Sequence, residues 1–195
     1  MWAHQGIIMK NIKLKNLISL IVLLLAIAIF ILSFFTIVKG YGENEIHYRN
    51  IIWGCKSSIR INDGYESLCD LKPVYGSLMG TILSFICGII LFGIIFISNT
   101  FLNNKLRFII SIICGGLMIV GGILLLFTLE GFYYSYAADD MTVSDLKQWL
   151  AYYGIVMTCP LSIISGTLSI AGGVLAIISQ FIKSKVLSFT SKVTK

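Results

Sequence analysis

Four long stretches without a charged residue dominate this sequence of 195 residues. They run from Leu17 to Val38, Val74 to Leu102, Phe108 to Leu129 and Trp149 to Ile182. A bilayer core about 30 Å thick is crossed by roughly 20 apolar helical residues, and each stretch is at least that long. The sequence therefore predicts an all-α membrane protein, a bundle of four transmembrane helices in a single domain covering residues 1–195. Charged residues make up 12% of the chain, about half of what a soluble domain carries.

The first stretch follows Lys10, Lys13 and Lys15, so a cleaved secretory signal is the alternative to a membrane helix. Its 22 uncharged residues exceed a typical signal core, and no clear small-x-small cleavage site precedes Lys39. We expect this stretch to be retained as the first membrane helix.

The charges outside the stretches predict the orientation of the chain. Residues 1–16, 103–107 and 183–195 hold nine basic residues and no acid, whereas residues 39–73 and 130–148 hold all nine acids and six basic residues. Because lysine and arginine in short loops stay in the cytoplasm, both termini are predicted to be cytoplasmic and the two acidic loops extracellular. The net charge of +6 then reflects membrane topology and contact with membrane lipid, and it does not indicate nucleic-acid binding.

Two of the five cysteines lie in the first extracellular loop. Cys87, Cys114 and Cys159 fall inside the apolar stretches, where a thiol usually acts as a small packing group. Cys55 and Cys69 face the oxidising side, where disulfides persist. A metal site is the less economical alternative, because His47 is the only histidine near them. A disulfide there would stabilise the loop by about 3 kcal/mol in the chain-entropy model.

The sequence between these cysteines is typical of a β-hairpin. Ile59 and Ile61 alternate with polar residues, and Asn62-Asp63-Gly64 is a turn signal. The segment from Glu45 to Trp53 is predicted to form a third strand, with Trp53 packing against the sheet or at the membrane interface. We therefore expect a small extracellular β-sheet in the first loop.

The chain has four predicted spans, a first outer loop longer than the second, and a Trp-x-Cys…Cys pattern at Trp53, Cys55 and Cys69. In these features it resembles the claudin superfamily. That group includes the claudins, the peripheral myelin and epithelial membrane proteins and the channel gamma subunits. The family pattern has two residues between tryptophan and the first cysteine, whereas Gly54 alone stands there in this chain. The resemblance implies a plasma-membrane protein at cell junctions. It also implies that Lys56 and Asp70, which follow the two cysteines, line a pore or an interaction surface.

Two other four-span families fit the sequence less well. Tetraspanins carry their cysteines in a large second extracellular loop, and connexin-like channels need cysteines in both loops. Here the second loop, residues 130–148, is short and has no cysteine.

Small residues predict how the helices pack, because helices in lipid gain most from close backbone approach. Such residues recur at four- or seven-residue spacing in the second, third and fourth spans. They are Gly76, Gly80, Gly115, Gly122, Ser165, Ser169 and Gly173. We expect them to pack the bundle internally, and a dimer interface is the alternative.

Two further signals concern the fourth span. Pro160 is predicted to kink or break the helix near its outer third. Thr142 with Asp145 matches a capping box, which places the start of that helix outside the membrane, whereas a simple exposed loop is the alternative.

The sequence offers no support for catalysis, a metal, a cofactor or a small-molecule substrate. No Asp, Glu, Lys, Arg or His falls within the four stretches, although such residues mark most proton and ion paths. The adjacent Asp139 and Asp140 are typical of a solvated turn. Two functions fit the sequence. In the first, the protein forms cell-cell contacts or a paracellular barrier or pore, through self-association or through a partner membrane protein. In the second, it is an auxiliary subunit that regulates the trafficking or gating of a channel or receptor.

Overall fold

The computed structural model describes residues 12–41, 46–49, 51–61, 64–71, 73–97, 104–136, 142–152, 156–181 and 186–187. Four of its helices are long and apolar enough to cross a membrane. They are α1 (Leu14–Phe34), α2 (Tyr75–Ile97), α3 (Asn104–Leu126) and α6 (Pro160–Phe181). The protein is thus a mostly helical, multi-pass membrane protein.

The helices do not coincide with the uncharged stretches that predicted them. Helix α1 ends at Phe34, and strand β2 (Ile37–Tyr41) takes the last residues of the first stretch. Helix α3 begins at Asn104, so Lys105 and Arg107 belong to its first turn and not to the preceding loop. An apolar run cannot distinguish a membrane helix from an apolar strand that follows it, because both bury hydrophobic side chains.

The fourth uncharged stretch is divided into three elements. Helix α5 (Val143–Tyr152) ends before strand β6 (Val156–Thr158), and α6 then begins at Pro160. The prediction that Pro160 interrupts one continuous span was therefore wrong. Proline has no N–H to donate and is well suited to the first position of a helix, so it starts the span here.

The capping box predicted at Thr142 is present, but it starts the separate helix α5. Asp145 N–H donates to Thr142 Oγ1 at 3.2 Å, and Thr142 N–H donates to Asp145 Oδ2 at 3.2 Å. These reciprocal bonds satisfy two of the donors that a helix start leaves open. Helix α4 (Thr128–Tyr136) precedes α5 and continues beyond α3 after a one-residue interruption at Phe127.

Glycine pairs bring α3 against both of its neighbours. A Cβ at Gly115 would lie 2.9 Å from Gly173 O, and one at Gly122 would lie 2.7 Å from Gly166 O, both on α6. A Cβ at Gly80 of α2 would lie 2.5 Å from Gly121 O. Such distances leave no room for a side chain, so these contacts form the interior of the bundle.

Gly76 does not belong to this packing. A Cβ at that position would meet no heavy atom within 4 Å. The predicted Gly76–Gly80 face thus contributes Gly80 alone, because Gly76, in the first turn of α2, has no neighbouring group close to it.

A hydrogen bond joins α2 and α6 through the centre of the bundle. Ser84 Oγ and Ser169 Oγ are 2.6 Å apart, and Ser169 Oγ also donates to Met118 O of α3 at 2.7 Å. Ser165, one turn before Ser169, is buried as well. The hydroxyl groups of Ser84 and Ser169 let three helices approach one another while these two polar atoms stay paired, whereas Ser165 Oγ has no hydrogen-bond partner among the described residues.

One end of the bundle carries a five-stranded antiparallel sheet, and we call it the sheet end. The sheet contains β2, β3 (Ile46–Arg49), β4 (Cys55–Ile61), β5 (Gly64–Leu71) and β6, in the order β5-β4-β3-β2-β6. The predicted third strand ends at Arg49 and not at Trp53, since residues 51–53 form a turn. At the opposite end, the termini end, β1 (Ile12–Lys13) pairs with β7 (Val186–Leu187).

Candidate interaction surface

Exposed aromatic side chains mark where the bundle leaves the membrane. Phe35, Tyr75 and Phe127 lie at the sheet end, and Phe108 and Phe181 lie at the termini end. Phe108 and Phe127 are 19 positions apart, which corresponds to about 28 Å along a helix and matches a hydrocarbon core of about 30 Å. Helices α4 and α5 and the sheet therefore lie beyond the hydrocarbon region.

The turn that leads into β4 is buried against the bundle. Ile51 and Ile52 are 1% and 0% exposed, respectively, and Val74 N–H at the start of α2 donates to Ile51 O at 3.2 Å. Full burial of an isoleucine side chain contributes roughly 1.5–3 kcal/mol. These two residues thus fix the base of the β4–β5 hairpin to the helices.

Trp53 attaches the same turn to the end of α1. Its Nε1–H donates to Ser33 Oγ at 2.8 Å, and Ser33 Oγ donates in turn to Phe30 O at 2.6 Å. The indole ring stacks on Phe34 with ring centroids 5.0 Å apart and an interplanar angle of 2°. Trp53 therefore lies at the membrane boundary, where tryptophan is enriched in membrane proteins, and not on the sheet.

Gly54 connects this anchor to β4 through an unusual backbone conformation. Its φ is 118°, a region that side chains with a Cβ rarely adopt. The chain can therefore turn from the buried Trp53 into β4 within one residue, which explains how a single residue suffices between Trp53 and Cys55.

One hydrophobic core joins both loops to the sheet end of the bundle. Its buried residues come from the helices, the sheet and the segments between them. They are Ile29, Val38, Ile51, Ile52, Val74, Leu125, Phe132, Leu146, Leu150, Met157 and Cys159. Because Val38 of β2 and Met157 of β6 belong to this core, these two strands are attached to the bundle.

The second loop contributes to the same surface. Strand β6 pairs with β2, with Gly40 opposite Met157, so the sheet combines strands from both loops. Lys147 Nζ of α5 donates to both carboxylate oxygens of Glu130 on α4, at 2.8 and 3.0 Å, and lies 4.9 Å from the centre of the Tyr133 ring. These contacts hold α4 and α5 together at the surface.

Three groups near this surface have shifted pKa values. Burial raises the pKa of the Tyr133 phenol and that of the Cys159 thiol, and the hydrogen bond with Glu130 raises the pKa of Lys147. Among the residues that the structure describes, no three His, Cys, Asp or Glu side chains gather as a metal site.

Lys56 and Asp70 are opposite each other in the β4–β5 ladder. Cys55 is opposite Leu71, and the register shifts between Lys56 and Ser57, so Ser57 is opposite Leu68 and Cys69 is the additional residue. The side chains of these residues and the turn at 62–63 lie outside the described part of the structure. The Cys55–Cys69 disulfide stays a prediction.

Several residues that position this surface were not predicted from the sequence. Ile51 and Ile52 fall within the segment predicted as a third strand, although they form the buried turn that anchors it, and Gly54 orients the chain that follows. Two consecutive isoleucines in a polar loop were an available signal, since such residues in water are unfavourable.

Comparisons with protein-family models and with curated proteins found no match. The likeness to the claudin superfamily remains a resemblance carried by Trp53, Cys55 and Cys69 and by the order of the spans.

Proposed function

We propose that this protein is a claudin-like plasma-membrane protein. It makes contacts with membrane proteins of the same or a neighbouring cell through its sheet end, and so contributes to cell adhesion or to a paracellular barrier or pore. The observation that carries this proposal is the shared core, which mounts strands from both loops on the bundle at the membrane boundary. A surface held in one orientation loses little entropy when a partner binds.

The charge distribution supports an outward-facing sheet end. The segments at the termini end carry nine basic residues and no acid, and all nine acids lie on the other side of the spans. By the positive-inside rule, this distribution supports cytoplasmic termini and a sheet end outside the cell.

Exposed aromatic residues on α4 and α5 provide contact area beside the sheet. Tyr134 is 72% exposed and Tyr152 is 84% exposed. Both belong to helices that lie beyond the exposed aromatic residues at the sheet end of the spans. Tyrosine is enriched at protein interfaces, because its ring is large and its hydroxyl group can still bond to water or a partner.

The test is expression of the tagged protein in cells that lack junctional strands, mixed with untransfected cells. We expect enrichment where two expressing cells touch, relative to free membrane. The Tyr134→Ala/Tyr152→Ala double variant should reduce that enrichment. The control is Phe127→Ala, which removes an exposed aromatic side chain at the edge of the hydrocarbon region.

The result that would overturn the proposal is equal density at contacts and on free membrane in protein that reaches the surface. Copurification of one channel or receptor, without enrichment at contacts, would instead establish the auxiliary-subunit function. An epitope tag at either terminus that antibody reaches without permeabilisation would show that the orientation is reversed.

A further inference from the structure

Two cysteines in the interior of the bundle meet across the contact between α2 and α3. Cys87 and Cys114 are 3% and 4% exposed, and both belong to one hydrophobic cluster with Val22, Leu91, Met118 and Ala176. Their thiol groups form a hydrogen bond with each other. The pair is therefore a dithiol enclosed by apolar side chains, and it takes no part in the surface at the sheet end.

The packing of the two helices explains why these thiols meet. Gly80 of α2 lies against Gly121 of α3, where a Cβ at Gly80 would come to 2.5 Å from Gly121 O. Cys87 lies seven residues after Gly80, and Cys114 lies seven residues before Gly121. Seven residues make nearly two full turns, or about 10 Å of helix. Because α2 and α3 run antiparallel, the cysteines occupy the next level of the contact line that the glycines hold close.

The pair lies within the hydrocarbon region. Phe108 marks the end of that region on α3, and Cys114 is six residues further in, about 9 Å along the helix. Ile86 and Ile113, which precede the two cysteines in the chain, are 49% and 54% exposed, so the thiols lie directly behind the lipid-facing surface. Charged oxidants are excluded from this layer, because burying an unpaired charge is costly, whereas an uncharged hydroperoxide dissolves in it.

Two thiols in contact can reduce a hydroperoxide without leaving a charge in the bundle. In the first step one sulfur attacks the terminal oxygen of the hydroperoxide, the O–O bond breaks, and the thiol proton passes to the departing alkoxide. The products are a sulfenic acid and an alcohol. In the second step the other sulfur attacks the sulfenic sulfur, the S–S bond forms, and the hydroxyl group leaves with the second thiol proton as water. The two sulfurs lose two electrons in total, and the peroxide gains them.

We propose that Cys87 and Cys114 are a modification site, a dithiol that an uncharged hydroperoxide in the membrane oxidises to a disulfide between α2 and α3. Hydroperoxides of unsaturated lipid chains belong to this class of oxidant. The S–S bond of about 2.05 Å joins two helices that are already held close by Gly80 and Gly121. The proposal does not depend on contact formation at the sheet end.

The experiment uses the full-length protein in lipid vesicles, with a protease site inserted between α2 and α3 within residues 98–103. After cleavage, the first fragment holds Cys55, Cys69 and Cys87, and the second holds Cys114 and Cys159. A denaturing gel without reductant then shows whether a disulfide joins the fragments. One sample is treated with cumene hydroperoxide, which partitions into the bilayer, and another with tetrathionate, a charged oxidant that stays in water.

We expect cumene hydroperoxide to join the fragments in most of the wild-type protein, and tetrathionate to leave them separate. Cys87→Ala and Cys114→Ala should each abolish the join. The matched control is Cys159→Ala, which changes a buried cysteine outside the pair and should behave like the wild type. In the uncut protein, oxidation should raise the melting temperature by roughly 5 °C, because the crosslink restricts the unfolded chain.

A second measurement needs neither a variant nor the inserted site. Peptide mapping of the oxidised wild-type protein without reduction should recover Cys87 and Cys114 in one linked pair.

Three outcomes would overturn the proposal. Separate fragments after cumene hydroperoxide, with both thiols recovered in reduced form, would leave the pair as packing groups only. A join that persists in Cys114→Ala and is lost in Cys159→Ala would assign the crosslink to a different cysteine. Equal joining by tetrathionate would show that the thiols are reached from water and not from the membrane.

Discussion

Trp53 Nε1 lies 2.8 Å from Ser33 Oγ, and this hydrogen bond joins the turn before β4 to the last turn of α1. The two residues are 20 positions apart, and the strands β2 and β3 lie between them in the sequence. The bond thus holds the turn that follows β2 and β3 against α1, the helix that precedes these strands.

The bond between Trp53 and Ser33 is expected to stabilise the protein measurably. A net hydrogen bond contributes about 1 kcal/mol, so a double-mutant cycle with Trp53→Phe and Ser33→Ala should give a coupling energy of about that size. Thermal unfolding of the purified protein provides the measurement, and Tyr134→Phe, at an exposed site, serves as the control. Strictly additive single effects would contradict a direct bond.

Gly54→Ala is expected to destabilise the protein. At φ 118° an added Cβ strains the backbone by roughly 1–2 kcal/mol, and the turn that orients β4 would have to shift. Gly116→Ala is the matched control, because that helical position has open space around it and alanine favours a helix by up to about 1 kcal/mol. Equal melting temperatures for the two variants would refute the role of Gly54.

Two glycines on α2 should respond in opposite ways to the same change. Gly80→Ala forces a methyl group to within 2.5 Å of Gly121 O, and such overpacking typically costs 1–3 kcal/mol. Gly76→Ala meets no heavy atom within 4 Å and should be neutral or slightly stabilising. The measurement is the melting temperature of each variant in one detergent. A larger decrease for Gly76→Ala than for Gly80→Ala would contradict the α2–α3 packing.

Cys55 and Cys69 are expected to form a disulfide in protein delivered to the cell surface. Peptide mapping without reduction should recover the two cysteines in one linked pair. Cys55→Ala should lower surface delivery, since loss of about 3 kcal/mol can unfold a small sheet. Alkylation of both thiols without prior reduction would rule out this bond.

Charge reversal tests whether Lys56 and Asp70 set the selectivity of a pore or pair with each other in the sheet. If they line a pore, Lys56→Glu should shift the permeability of a cell layer toward sodium, and Asp70→Lys should shift it toward chloride. If they only pair across β4 and β5, each single reversal should lower stability slightly, and the exchanged variant Lys56→Asp/Asp70→Lys should restore it. Unchanged ion ratios with normal assembly would exclude the pore function.

The α3–α6 contact shows which part of the helix packing could be predicted from the sequence. Gly115, Gly122 and Gly173 were identified from their spacing, because small residues at such intervals suit close helix packing. Their partners could not be assigned from spacing alone. Gly166 faces Gly122 and Gly121 faces Gly80, and these pairs depend on which helices are neighbours and at what height they cross.

The membrane class, the four spans and the hairpin of β4 and β5 could be predicted from the sequence, because hydrophobic length, charge placement and turn residues act locally. The anchoring of Trp53 to α1, the start of a helix at Pro160 after β6 and the sheet shared by both loops could be seen only in the folded protein. These features depend on contacts between residues distant in the chain, such as Ile51 with Val74 and Gly40 with Met157. Such contacts form because burying apolar surface is favourable wherever it occurs, and a linear pattern of apolar residues does not specify which of them meet.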